Sequence, residues 1–100
     1  MTEVRVALPA HLRTLARTGS EVRLEVVRTP TIAAVLDELE SCYPVLRGTI
    51  RDHGSAHRRA YIRLFGAGRD LSHESPESLL PAAVRSGAEP LRVVGAIAGG

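Results

Sequence analysis

Two alternating runs followed by one helical stripe leave this chain few folds to choose from. Residues 4–8 place Val4, Val6 and Leu8 on one face, and residues 21–28 repeat the pattern with Val22, Leu24 and Val26. A period of two points every second side chain the same way, so each run reads as a half-buried strand. Pro9 ends the first run, and residues 10–20, with Thr14, Thr18, Gly19 and Ser20, read as a connection. The period then changes. Ile32, Val35, Leu36, Leu39 and Tyr43 follow the 3.6-residue spacing of an amphipathic helix, and Asp37, Glu38 and Glu40 fall mostly off that stripe. Thr29 is the expected N-cap, with Pro30 at the first helical position and Pro44 as the stop.

The second half is less periodic. Residues 45–59 are interrupted by Gly48, Gly54 and Ser55 and made basic by Arg47, Arg51, Arg58 and Arg59. Residues 60–65 form a third strand, Gly66-Ala67-Gly68 a turn, and Arg69 to Ser72 a short return strand. A polar loop follows, then one helical turn over Leu79 to Val84 and another chain turn over Gly87 to Pro90. Residues 91–97 are apolar on both faces, which predicts a central strand. This order predicts a two-layer α+β domain: a mixed sheet of four to five strands with one main helix packed across it. Residues 1–98 are expected to be a single domain and residues 99–100 a flexible tail. Periodicity leaves the sheet order open.

Composition removes many functions. At 100 residues and 44% hydrophobic content the chain supports one modest core and little room for an enclosed active site. The lone cysteine, Cys42, excludes an internal disulfide and a multi-cysteine zinc site, which suits a reducing cytoplasm. It lies in the last helical turn beside Tyr43 and is expected to be a small buried hydrophobe. No signal-peptide core or membrane-length apolar run is present, so a cytoplasmic protein is expected. All 13 basic residues are arginine, so there is no phosphate-binding P-loop lysine and no side-chain amine to acylate. His53 and His57 have ligand-like spacing, but Gly54 and Ser55 argue against the helix that would align them, and no metal is expected. The arginine cluster reads as a solvated surface or a protein-docking patch, with nucleic acid not expected beside only three aromatic residues.

What remains is the end of the sequence. Ala98-Gly99-Gly100 follows an apolar strand with no polar spacer. Glycine has no Cβ, so such a segment fits a narrow channel in another enzyme and leaves its last carbonyl open to attack. A carboxylate is a poor electrophile. Adenylation by ATP supplies a leaving group, and a sulfur nucleophile then yields a thiocarboxylate. A carrier of this kind needs only the carboxylate and a docking surface, which fits a chain without a catalytic cluster.

The sequence resembles the ubiquitin-like sulfur carriers of the β-grasp fold, which include the small subunit of molybdopterin synthase (MoaD), the thiamine-pathway carrier (ThiS) and the carrier for cysteine synthesis. LPAHLR, TPTIAAVLDELESCYPVLRGTI, HRRAYIRLFG and SGAEPLRVVGAIAGG carry the resemblance, which covers nearly the whole chain. Tyr43-Pro44 and His57-Arg58-Arg59 are most similar to the longer members, among them the cysteine-pathway carrier. The resemblance implies that Gly100 is adenylated and then thiocarboxylated, and that Gly99, Ala98 and Ile97 line the activating enzyme's channel. It implies docking through apolar residues of the sheet, here Val94 and Phe65. No cofactor is expected to be bound. ATP is consumed by a ubiquitin-activating-type adenylating enzyme, and a sulfur donor protein and a downstream synthase complete the partners. The chain departs from its relatives at Gly95, where they often carry proline and where a looser tail is expected here. It departs again at Gly66-Ala67-Gly68, where an Asn-Gly turn is usual, and at Ala88, which replaces an acid. The alternatives are a protein modifier joined through Gly100 to lysines of other proteins, and a non-catalytic β-grasp binding module.

Overall fold

The computed structural model describes residues 1–52, 58–59 and 61–95. The elements run β1 (Thr2–Ala7), α1 (Ala10–Ala16), β2 (Glu21–Val26), α2 (Ile32–Cys42), a 3-10 turn (Pro44–Leu46), β3 (Ile62–Gly66), β4 (Arg69–Asp70), α3 (Ala82–Arg85) and β5 (Leu91–Gly95). The five strands form one mixed sheet in the order β2-β1-β5-β3-β4. β1 pairs with β5 in parallel, and the other pairs are antiparallel.

The core lies on one face of this sheet. Val4, Val6, Val22, Leu24, Leu64, Leu91 and Val93 point toward Ile32, Val35, Leu36 and Leu39 of α2, and all are buried. The stripe of α2 is therefore the one its spacing predicts. Its start is not. The N-cap is Thr31, whose Oγ1 accepts from the Ala34 N–H at 3.1 Å. The N–H groups of Ile32 and Ala33 donate to the carbonyls of Ser78 and Pro76 at 3.0 and 2.8 Å. The polar loop thus supplies acceptors to the open helix end, which moves the start two residues past Thr29.

Residues 10–16 are a helix rather than part of a connection. Its length of 7 residues is too short for a periodic signal, and only Leu12 of it is buried. It closes on Arg17 in the left-handed conformation, with φ 57°. The expectation for β5 is half right. β5 is central, but only Leu91 and Val93 are buried, while Arg92 and Val94 are exposed. Among the described residues no second layer covers that face, so a central strand here alternates instead of being apolar throughout.

Cys42 is also not a core residue. The thiol is exposed on the Glu38 side of the last turn of α2, and Tyr43 packs against the core. Cys42 Sγ donates to Glu38 Oε2 at 3.3 Å. Partial burial first, and then Glu38, raise the thiol pKa, so the group stays protonated near neutral pH.

The arginine cluster is largely spent inside the fold. Arg51 pairs with Asp37 and Glu40 of α2 at 2.8 and 2.9 Å, with its side chain 11% exposed. Burial alone would lower the Arg51 pKa, but Glu40 and Asp37 more than offset it. Arg58 donates to the carbonyls of Ser72, Arg59 and Ile62, and Arg59 donates to Gly48 O and Asp52. Arg47 is exposed. Of the cluster expected to be a solvated surface or a docking patch, Arg51 and Arg58 are thus bound to groups of their own chain, while Arg47 and Arg59 stay exposed. His53 and His57 lie outside the described residues.

The β3–β4 hairpin turns on Ala67-Gly68, since Gly66 pairs with Arg69. Both turn residues have positive φ, 52° and 77°. Two-residue hairpin loops favour this geometry, and alanine is poor at it, where Asn or Gly is usual. Gly66 belongs to the strand, with Leu71 and Val84 side chains 3.1 Å from where a Cβ would lie. Ala67→Asn is expected to stabilise the protein by about 0.5–1 kcal/mol in urea unfolding. Gly66→Ala should destabilise it in the same assay.

Candidate functional site

On the uncovered sheet face, β3 and β5 present Arg63, Phe65, Arg92 and Val94. Their antiparallel register sets Arg63 opposite Val94 and Phe65 opposite Arg92. Phe65 and Val94 therefore lie on one diagonal of the same face, within reach of a single partner residue. Val94 is 39% exposed. β4 adds Asp70 on the far side of Phe65, where it pairs with Arg63 at 3.2 Å. The two expected docking residues are thus brought together, inside a charged rim that sequence reasoning did not include. That rim was readable, since Arg63 and Arg92 sit at alternate positions beside Phe65 and Val94. An apolar centre with a polar rim is the ordinary construction of a protein-docking surface.

Asp70 is held below the usual aspartate range. Hydrogen bonds from Ser72 are the main cause, and Arg63 adds to them. The same Ser72 Oγ accepts from Leu64 N–H at 2.9 Å, which ties the short β4 hairpin to β3.

β5 also meets α1. A Cβ on Gly95 would lie 2.9 Å from His11 Cε1, so the imidazole rests directly on the backbone of Gly95. Glycine here is a packing position. The proline that relatives often carry would meet the same ring. This pairing joins two residues far apart in sequence, and no local pattern announces it. Ile97, Ala98, Gly99 and Gly100, the expected channel and reaction residues, lie outside the described residues. Gly95 is the last residue described before them.

Among the described residues no group of three His, Cys, Asp or Glu side chains is gathered to hold a metal. No described helix is long and apolar enough to cross a membrane.

No protein-family model matches the chain, and no curated protein matches it by sequence. Solved structures do. Small archaeal modifier protein 1 (SAMP1) from Methanosarcina acetivorans is 25% identical with a TM-score of 0.74, covering 100% of this chain and 98% of its own. SAMP1 from Haloferax volcanii is 20% identical with a TM-score of 0.74, covering 98% and 99%. The Amycolatopsis orientalis BexX/CysO complex contains a chain 18% identical with a TM-score of 0.72, covering 97% and 99%. The chain has the ubiquitin-like β-grasp fold. The resemblance to the longer ubiquitin-like carriers holds at the level of fold, with SAMP1 and CysO as structural neighbours.

Gly95→Ala is expected to cost about 1 kcal/mol, because the His11 ring must swing away. His11→Ala in the same chain should remove that cost, so a double-mutant cycle by urea unfolding reads a coupling of similar size. Additive effects would show that the contact carries no energy. For Asp70 the folded-state pKa is lowered, so its contribution is present above the unfolded value of about 3.9 and disappears as pH falls through the folded value. Asp70→Asn should therefore lower stability at pH 7 and flatten the acid limb of the stability–pH curve below about pH 4.

Proposed function

We propose that this chain is a sulfur carrier whose Gly100 carboxylate is the working group. The carboxylate attacks the α-phosphorus of ATP on a ubiquitin-activating-type partner and releases pyrophosphate. A sulfur nucleophile supplied by a donor protein then attacks the acyl-adenylate carbonyl and expels AMP, leaving a thiocarboxylate. A downstream synthase takes that sulfur, with cysteine synthesis the first pathway to test and molybdopterin, thiamine or natural-product sulfuration after it. The observation that carries this reading is a β-grasp fold shared with CysO and SAMP1 whose central β5 runs toward Ala98-Gly99-Gly100. Val94 and Phe65, on the open face of β5 and β3, supply the docking surface, and Gly99, Ala98 and Ile97 enter the partner's channel. In this reading the chain is a cytoplasmic co-substrate rather than an enzyme, and ATP is used on the partner.

The second reading is a protein modifier joined through Gly100 to lysines of other proteins. It is favoured by one observation: the SAMP1 neighbours are named as modifier proteins. With no lysine of its own, the chain would be attached to targets singly and not as lysine-linked chains of itself.

Intact mass of the protein from its native host separates the two. Replacement of one oxygen by sulfur at Gly100 is the expected result for the carrier. Larger conjugates that vanish on deletion of Gly100 would instead support the modifier. Retention of function after removal of Gly99-Gly100 would overturn both. Val94→Glu is expected to slow activation by at least about tenfold, mainly through KM, while leaving the fold intact by circular dichroism.

A further inference from the structure

The sheet has one long strand at its border. β2 is at the edge beyond β1, and β4 at the other edge is only two residues long. Leu8 N–H donates to Ser20 O at 2.9 Å, which continues the β1–β2 ladder in register with Val6 opposite Val22. In an antiparallel ladder, directly opposite residues alternate between pairs that exchange both hydrogen bonds and pairs that exchange none. The even-numbered residues of β2 therefore bond to β1. The backbone N–H and C=O groups of Glu21, Arg23 and Glu25 point outward, and among the described residues no backbone hydrogen bond reaches them.

The charges on this edge are poorly matched within the chain. Glu3 stands opposite Glu25 and Arg5 opposite Arg23. Like charges directly opposite each other are destabilising. The mismatch is relieved diagonally, with Arg5 to Glu21 at 3.0 Å and Arg23 to Glu3 at 3.8 Å. Glu25 faces Glu3 and has no cationic partner among the described residues. A cation beside Glu25 would have to come from across the open edge.

A second copy brings one. Two β2 edges related by a two-fold axis pair antiparallel, and their outward residues must meet in odd-to-odd register to keep both cores on one side. Setting Arg23 opposite its own copy also sets Glu21 against Glu25 twice. Setting Glu25 opposite its own copy places two acids on the axis. Setting Arg23 opposite Glu21 leaves Glu25 beyond the strand, across from Gly19. Setting Arg23 opposite Glu25 also matches opposite charges twice; it leaves Glu21, already paired with Arg5, across from Val27 and gives Glu25 the cation it lacks. Of the two acids in the hollow beside this edge, Asp37 is already matched by Arg28 and Arg51, and Glu38 accepts from Cys42 Sγ.

We propose that the β2 edge is a self-association surface, in which Arg23 of each copy pairs with Glu25 of the other and two sheets join into one. The partner is a second copy of this chain. The joint is two strands away from β5, so Val94 and Phe65 stay open in the dimer. A single strand edge buries less than a standard interface, so the dimer is weak, with a Kd of roughly 10 μM to 1 mM.

Sedimentation equilibrium up to about 1 mM chain tests this, with circular dichroism as the folding control. The wild type should pass from monomer to dimer across that range. Arg23→Glu and Glu25→Arg should each weaken association by at least about tenfold. An equimolar mixture of the two variants restores both opposite-charge pairs and should dimerise. Amide exchange at Arg23 and Glu25 should slow as the dimer forms. A wild type that stays monomeric, single variants that associate like it, or a mixture that remains monomeric would each overturn the proposal.

Discussion

The apolar stripe of α2 can leave water only under a sheet wide enough to cover it, and that requirement orders the rest of the structure. One helix covers one face, so the sheet is buried on one side and open on the other. Every strand then alternates between core and solvent. The parallel β1–β5 pair follows from the same need. β5 closes the gap beside β1 beneath α2, and its neighbours on both sides satisfy its backbone.

That central position has a chemical consequence. A strand paired on both sides is held firmly, and the chain beyond it starts from a fixed point. His11 adds to this by resting on Gly95, so the last described residue of β5 is gripped by sheet and helix together. Val94 and Phe65 lie on the open face close to that point.

The charged residues divide by the work they do. Arg51, Arg58 and Arg59 bind carbonyls and acids of their own chain, where planar guanidinium groups can satisfy several acceptors at once. Arg63 and Arg92 stay on the open face around the apolar pair. On β1 and β2 like charges stand opposite each other and are relieved diagonally, which leaves Glu25 without a cation among the described residues and gives the edge a preference for a complementary strand.

Much of this was legible in the sequence. Alternation and helical spacing located β1, β2, β3, β5 and the buried stripe of α2, because each of those patterns arises from one element meeting one flat core. Family resemblance singled out Val94 and Phe65, and the register of β3 and β5 sets them on one diagonal of the same face. Tertiary structure alone decided the rest. α1 is too short to show a period, and the start of α2 is set by carbonyls of Pro76 and Ser78 that arrive from far along the chain. Cys42, expected to be a small buried hydrophobe, is exposed beside Glu38, one turn back along α2. The arginine cluster looked like a surface patch because its acceptors, Ser72 O, Gly48 O and the acids of α2, are not its neighbours in sequence. Local periodicity reports which face of an element is apolar. Which elements meet, and therefore which charges are matched and which glycine must stay bare, is fixed only when the chain closes on itself.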